Sequence, residues 1–81
     1  MGKNDKFIST LLSGNSDNNI DFNELIRFLE NLNFEFRIKG SHHIFTKNGI
    51  GEIINIQPKG NKAKDYQVKQ IRNLLIKYKL L

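Results

Sequence analysis

Two histidines, His42 and His43, stand side by side in the segment GSHHIF, residues 40–45, and they are the only histidines in a chain of 81 residues without cysteine. Imidazole is the one side chain whose unperturbed pKa, about 6.5, lets it take up and return a proton near neutral pH. Any acid–base chemistry in this chain runs through that pair. The same two residues also allow a shared proton, a metal site or plain packing. On a strand, neighbouring side chains point to opposite faces, which makes His42 and His43 a poor metal pair within one chain. The lack of cysteine removes thiolate ligands and disulfides as well, and no metal or cofactor is expected.

Charge narrows the partner. Residues 1–38 set four cations against six carboxylates, whereas residues 39–81 set nine cations against only Glu52 and Asp65, so the basic half is the half with the histidines. A patch of this sign concentrates polyanions such as RNA or DNA, although a solvated lysine surface has the same composition. A chain this short buries about 60% of its unfolded surface, enough for one core, and a single domain over 1–81 is expected. No apolar run approaches the roughly 20 residues of a membrane span, and the opening MGKNDKFISTLLSGN is too polar for a secretory signal. A cytoplasmic, non-membrane protein is the expectation.

The elements that must position the histidines follow from periodicity. Phe7, Ile8, Leu11 and Leu12 have helical spacing within residues 5–13, and Gly14 stands where that helix stops. A polar linker, residues 15–19, follows. Asp21 and Glu24 form a capping pattern with Ile20 as its hydrophobic staple, and Phe22, Leu25, Ile26, Phe28, Leu29 and Leu32 carry a second helix to about Asn33. Phe34, Phe36 and Ile38 then alternate with Glu35, Arg37 and Lys39, which predicts a strand with one buried face. Gly40 and Ser41 link it tightly to a second strand, residues 42–47. Asn48-Gly49 is the dipeptide of a two-residue hairpin turn, and a third strand is expected from about Ile50 to Gln57, ended by Pro58. PKGNKAK reads as a basic loop and Asp65 as a cap. Val68, Ile71, Leu74, Leu75 and Tyr78 give a last helix bearing Lys69, Arg72 and Lys77.

The expected fold class is α+β, in the order α-α-β-β-β-α, with a three-stranded antiparallel sheet covered by helices on one face. This layout is similar to the sandwich of double-stranded-RNA-binding domains with one extra helix in front. In the second strand His42, Ile44 and Thr46 share one face, and His43, Phe45 and Lys47 share the other. Burying Phe45 removes more apolar area from water than burying Ile44. That choice turns His42 outward and makes His43 a packed residue, hydrogen-bonded to backbone. Tyr66 and Tyr78 read as core or helix-edge residues. PKGNK lacks the second glycine and the Ser/Thr of a phosphate-cradling P-loop.

The motif Gly40-Ser41-His42 followed by Phe45, set between an amphipathic helix and a hairpin and followed by the basic PKGNKAK segment and a final helix, resembles the HicA toxins of bacterial type II toxin–antitoxin systems. The resemblance covers about residues 20–81 and leaves 1–19 as an extra helix and linker, which would complete the domain, bridge a dimer or contact a partner. It implies ribosome-independent endonucleolytic cleavage of mRNA, inhibition by a HicB-like antitoxin, and a catalytic histidine at His42. Many members carry a further histidine just after the third strand, where this chain reads NIQPKG and offers Asn55, Gln57 and Lys59. The motif thus assigns no second proton donor.

RNA brings its own nucleophile, the ribose 2′-hydroxyl, and a neutral imidazole within hydrogen-bond reach would take its proton without a metal. Lys39, Lys47, Lys59, Lys62 and Lys64 are the expected RNA-binding cations, with Gly40 and Ser41 as phosphate donors. The expected partners are mRNA and a HicB-like antitoxin, with the chain as a homodimer or in a hetero-oligomer with that antitoxin. The alternative is a non-catalytic module that binds structured RNA by shape and backbone charge.

Overall fold

The computed structural model describes residues 3–81, so residues 1 and 2 of the expected leading segment lie outside the described residues. Helix α1 spans Lys3–Ser13 and turns into Gly14 at φ 71°. A 3₁₀ turn, Asp17–Asn19, leads to α2, Phe22–Asn31. The Asp21 carboxylate caps α2 by accepting from the Glu24 amide at 2.9 Å, which satisfies one of the free donors at the helix start. At its other end Asn33 takes φ 68°, and the Phe34 and Asn33 amides return to the Leu29 and Glu30 carbonyls at 3.2 and 2.9 Å. This paired left-handed cap reverses the chain and drops Phe34 into the core.

Strands β1 (Glu35–Lys39), β2 (His42–Thr46) and β3 (Ile54–Ile56) form an antiparallel sheet in that order. Lys39 pairs with His42 across the Gly40-Ser41 turn, where Gly40 has φ 62°. A positive φ at the first central residue is the geometry whose twist suits a two-residue hairpin. Helix α3 spans Asp65–Lys77. Phe45, Ile54 and Ile56 of the sheet share one cluster with Leu25, Phe28 and Leu29 of α2, Ile71 and Leu75 of α3, and Phe7 and Leu11 of α1. The order is α-α-β-β-β-α, and the fold is the expected α+β sandwich, with the opposite sheet face left open. No helix among the described residues is long and apolar enough to cross a membrane.

The third strand is shorter than its expected span of residues 50–57. The turn at Asn48-Gly49 forms, with the Ile50 amide bonded to the Lys47 carbonyl at 3.1 Å, but only Gly49 has positive φ, 88°. A turn with positive φ at its second central residue splays the flanking strands instead of pairing them. Glu52 is then drawn to the end of α3, where Lys77 Nζ and the Tyr78 hydroxyl donate to its carboxylate at 2.8 and 3.0 Å. These two hydrogen bonds hold the Glu52 carboxyl below the ordinary carboxylate range.

Three further expectations change. PKGNKAK is not a loop: Pro58–Lys59 (β4) and Lys62–Ala63 (β5) pair across a turn with Gly60 at φ 63°. The Ala63 amide bonds to the Ile20 carbonyl and the Phe22 amide to the Asn61 carbonyl, anchoring this hairpin to the start of α2. Asp65 is not the cap of α3: Lys64 occupies that position, and Asp65 lies in the first turn with its carboxylate on the Tyr66 amide at 2.8 Å. The β1 face expected to be buried is covered only at Phe34, with Phe36 36% and Ile38 60% exposed. An edge strand has a neighbour on one side only, and the cover from the helices ends before Ile38.

Arg72 of α3 ties the front of the chain to its end. Its guanidinium makes two hydrogen bonds to the Asp17 carboxylate, at 2.7 and 3.1 Å, and a third to the Leu11 carbonyl at 3.2 Å. The bonds to Asp17 raise the guanidinium's pKa above its ordinary value. Asp17→Ala should cost about 2 kcal/mol, as expected for charged hydrogen bonds removed from a half-buried site. In a chain of this size that lowers Tm by about 8–16 °C by circular dichroism, while an unchanged Tm would show the pair to be energetically idle.

Candidate functional site

The register of the sheet sorts the residues around the histidines. Phe36 pairs with Phe45, Ile38 with His43 and His43 with Ile56, so these side chains share the helix-covered face. Lys39 and His42, Arg37 and Ile44, and Ile44 and Asn55 pair on the open face. Phe45 is 0% exposed, and His42 is exposed, as alternation requires once Phe45 is inward.

His43 packs edge-to-face on Phe22, with ring centroids 4.9 Å apart, and stacks near Phe36 at 6.3 Å. The expected backbone hydrogen bond is not made: its Nδ1 is buried with no partner among the described residues. The ring is held by aromatic contacts instead, and it lies on the wrong side of the sheet to meet a ligand of His42.

His42 is held by two carboxamides. Its Nδ1 lies 3.0 Å from Asn55 Oδ1 and its Nε2 lies 3.2 Å from Gln57 Nε2. Gln57 stands opposite His42, one step beyond the His43–Ile56 pair. Its amide nitrogen also donates to Ser41 Oγ at 3.1 Å, its Oε1 accepts from Lys64 Nζ at 3.1 Å, and its backbone N–H donates to Oε1 of the buried Gln67 at 3.0 Å.

These contacts assign the tautomer. An ammonium can only donate, so the Gln57 oxygen faces Lys64 and the Gln57 NH₂ faces His42. Two donors cannot share one contact, so His42 Nε2 is a bare lone pair. The ring proton then sits on Nδ1 and is donated to Asn55 Oδ1. The arrangement presents a neutral imidazole nitrogen on an open face, ready to accept a proton from a hydroxyl that displaces the Gln57 amide.

The expected binding residues divide among three places. Lys39, Gly40, Ser41 and Lys64 surround His42: Lys39 is its strand partner, Gly40 and Ser41 form the adjoining turn, and Lys64 reaches it through Gln57. Lys59 and Lys62 pair across β4–β5 and line a groove with Lys64. Lys47 lies apart, past the far end of β2, with its Nζ 5.9 Å from the centre of the Phe34 ring. Among the described residues no three His, Cys, Asp or Glu side chains gather in a group fit to hold a metal ion.

Asn55 and Gln57 stood in the sequence only as the occupants of a place where a second histidine is often found. Arg37, on the open face beside Ile44, and Gln67, which fixes the Gln57 backbone, were not singled out. Parity from His42 would reach Asn55 and Gln57 once the β2–β3 register is known. Nothing in the spacing flags Gln67, because a lone polar residue on an amphipathic helix reads as solvated.

The family model described as "HicA toxin of bacterial toxin-antitoxin" matches residues 22–78, from the start of α2 to the cap of α3. No curated protein and no solved structure matches the chain. The match takes in both histidines, the Gly40-Ser41 turn, Asn55, Gln57 and Lys64, and covers more than half of the sequence. The chain belongs to the HicA family of toxins of bacterial toxin–antitoxin systems.

Proposed function

We propose that this chain is an endoribonuclease that cleaves mRNA without the ribosome and without a metal ion, with His42 as general base and residues 1–81 acting as one unit. The carrying observation is the pair of contacts that hold His42 on the open sheet face, Nδ1 to Asn55 Oδ1 and Nε2 to the Gln57 amide, with Lys39 and Lys64 nearby. A ribose 2′-hydroxyl takes the place of the Gln57 amide and gives its proton to Nε2. The 2′-oxygen bonds to phosphorus and the bond to the 5′-oxygen breaks, leaving a cyclic phosphate and a 5′-hydroxyl that takes its proton from solvent. Asn55 Oδ1 accepts from Nδ1–H before and after transfer, so the ring need not reorient. The freed Gln57 amide, the Gly40-Ser41 turn and the lysines offer donors to the phosphate oxygens as charge develops. The substrate supplies the nucleophile and the chain supplies the base and the cations, so no step calls for a metal.

A HicB-like antitoxin would silence the chain by covering the open face around His42, in a hetero-oligomer that also replaces any homodimer. Cytoplasm, where mRNA and antitoxin are found, is the place of action.

His42→Ala should lower RNA cleavage by at least about 100-fold and end growth arrest, with circular dichroism and RNA binding unchanged. A variant that still cleaves and arrests growth refutes the base, and loss of binding together with cleavage points to a structural role. Excess EDTA should leave cleavage intact; activity lost to chelator and restored by magnesium would overturn the metal-free route.

The orienting role of Asn55 has its own readout. Nitrogen NMR of the wild-type chain above pH 8 should show His42 protonated on Nδ1. Asn55→Ala should mix the two tautomers and lower kcat about tenfold, the worth of one hydrogen bond. A wild-type ring protonated on Nε2 would contradict the assignment.

A further inference from the structure

A concave surface lies to one side of the His42 face. It is a groove of about 700 Å³ between the 3₁₀ turn, β4–β5 and the first turn of α3, lined by Asn18, Lys59, Lys62, Lys64, Asp65 and Tyr66 around Ala63. Its volume falls within the roughly 300–1,000 Å³ of sites that enclose a small ligand or one unit of a larger one. The hairpin wall is anchored, since Ala63 of β5 and the turn residue Asn61 are bonded to the chain entering α2.

The lining has a definite chemistry. Three ammonium groups face a single carboxylate, and that carboxylate, Asp65, is turned back onto the Tyr66 amide. Tyr66, expected in the core or at a helix edge, is 55% exposed and lines the groove. Cations that follow a phosphate chain, combined with an aromatic face on which a base can lie, are the means by which proteins hold single-stranded nucleic acid. The Asn18 carboxamide at the rim adds a donor and an acceptor for a base edge. Lys64 belongs to the groove and also to the His42 network through Gln57, so a strand lying in the groove continues directly to the imidazole.

We propose that this groove is a nucleotide subsite for single-stranded RNA, in which Tyr66 stacks one base flanking the scissile bond and Lys59, Lys62 and Lys64 hold the adjoining phosphates. The subsite rests on the reading of the chain as a ribonuclease, and it gives that enzyme a preference for unpaired over duplex RNA, because only a splayed base reaches the ring. Phosphate binding at Lys64 draws the ammonium from Gln57 Oε1 and frees the Gln57 amide to leave His42. Filling the groove thereby opens the base.

The test uses the full chain, which has no tryptophan and whose only tyrosines are Tyr66 and Tyr78. In a Tyr78→Phe background the intrinsic emission belongs to Tyr66 alone. The probes are a 2′-O-methyl RNA hexanucleotide, which binds but has no free 2′-hydroxyl to react, and inorganic tripolyphosphate. The hexanucleotide should quench Tyr66 and tripolyphosphate should not. In the parent chain, Tyr66→Ala should weaken hexanucleotide binding within the about 5- to 150-fold range of base–aromatic stacking, and Tyr66→Phe should restore it. Replacing Lys59 and Lys62 by Gln should flatten the dependence of log affinity on log salt by about 0.7 per lysine.

Equal quenching by the two probes, no quenching at saturation, or wild-type affinity in Tyr66→Ala would each overturn the subsite. The binding measurements do not depend on turnover. If they hold while natural RNA stays intact, the ribonuclease reading alone fails; if RNA is cleaved by Tyr66→Ala as by the parent, the subsite alone fails.

Discussion

The burial of Phe45 is the constraint on which the site depends. Its side chain is 0% exposed at the centre of the sheet, between Phe36 on one strand and Ile54 on the other. Side chains on a strand alternate, so fixing Phe45 inward also fixes His43 inward and His42 outward. A slip of one residue would turn Phe45 into water and bury His42. The same hydrophobic term that holds the fold together therefore aims the imidazole. The turn at Gly40-Ser41 adds the second coordinate, since it places Lys39 directly across from His42.

Position alone would leave the ring free to rotate and to choose either tautomer. A chain of polar contacts removes that freedom: Lys64 fixes which way Gln57 points, Gln57 fixes which nitrogen of His42 is bare, and Asn55 takes the remaining proton. Each link is exposed or only half-buried and is individually worth about 1 kcal/mol. What they supply together is orientation, because neither amide can flip without leaving two donors or two acceptors face to face, and a flipped ring would lose both of its hydrogen bonds. Gln67 anchors the set from the core side through the Gln57 backbone. The site thus draws on β3 and on α3 with its Lys64 cap as well as on the strand that carries the histidine.

The helices, the β1–β2 hairpin and the two faces of β2 were readable because each rests on local chemistry: amphipathic period, the Asp21 cap, a glycine at the first turn position, and the greater area of Phe45. Errors arose where the outcome depends on distant partners. Asn48-Gly49 has hairpin composition, yet only one of its residues takes positive φ, and Glu52 is pulled toward Lys77 and Tyr78 on α3. PKGNKAK pairs into β4–β5 because its backbone finds partners at Ile20 and Phe22, far away in sequence. Phe36 and Ile38 alternate as core residues do but sit on an edge strand whose inner face is only partly covered. The partners of His42 belong to the same class: amides carry no charge or metal-ligand signature, and only the β2–β3 register brings Asn55 and Gln57 to the ring.

Two amides in place of a second histidine also shape the mechanism proposed for this site. An amide holds a ring by hydrogen bonds without gaining or losing a proton near neutral pH. Asn55 and Gln57 can therefore orient His42 but cannot relay its proton or protonate a leaving group. His43, the other imidazole of the chain, is cut off behind the sheet with its ring packed on Phe22 and Phe36. The proton balance of the proposed reaction thus rests on one nitrogen and on solvent. An open sheet face suits the proposed division: water would have free access to a leaving oxygen there, while the one position the proposal needs held accurately, Nε2 of His42, is the one the polar network fixes.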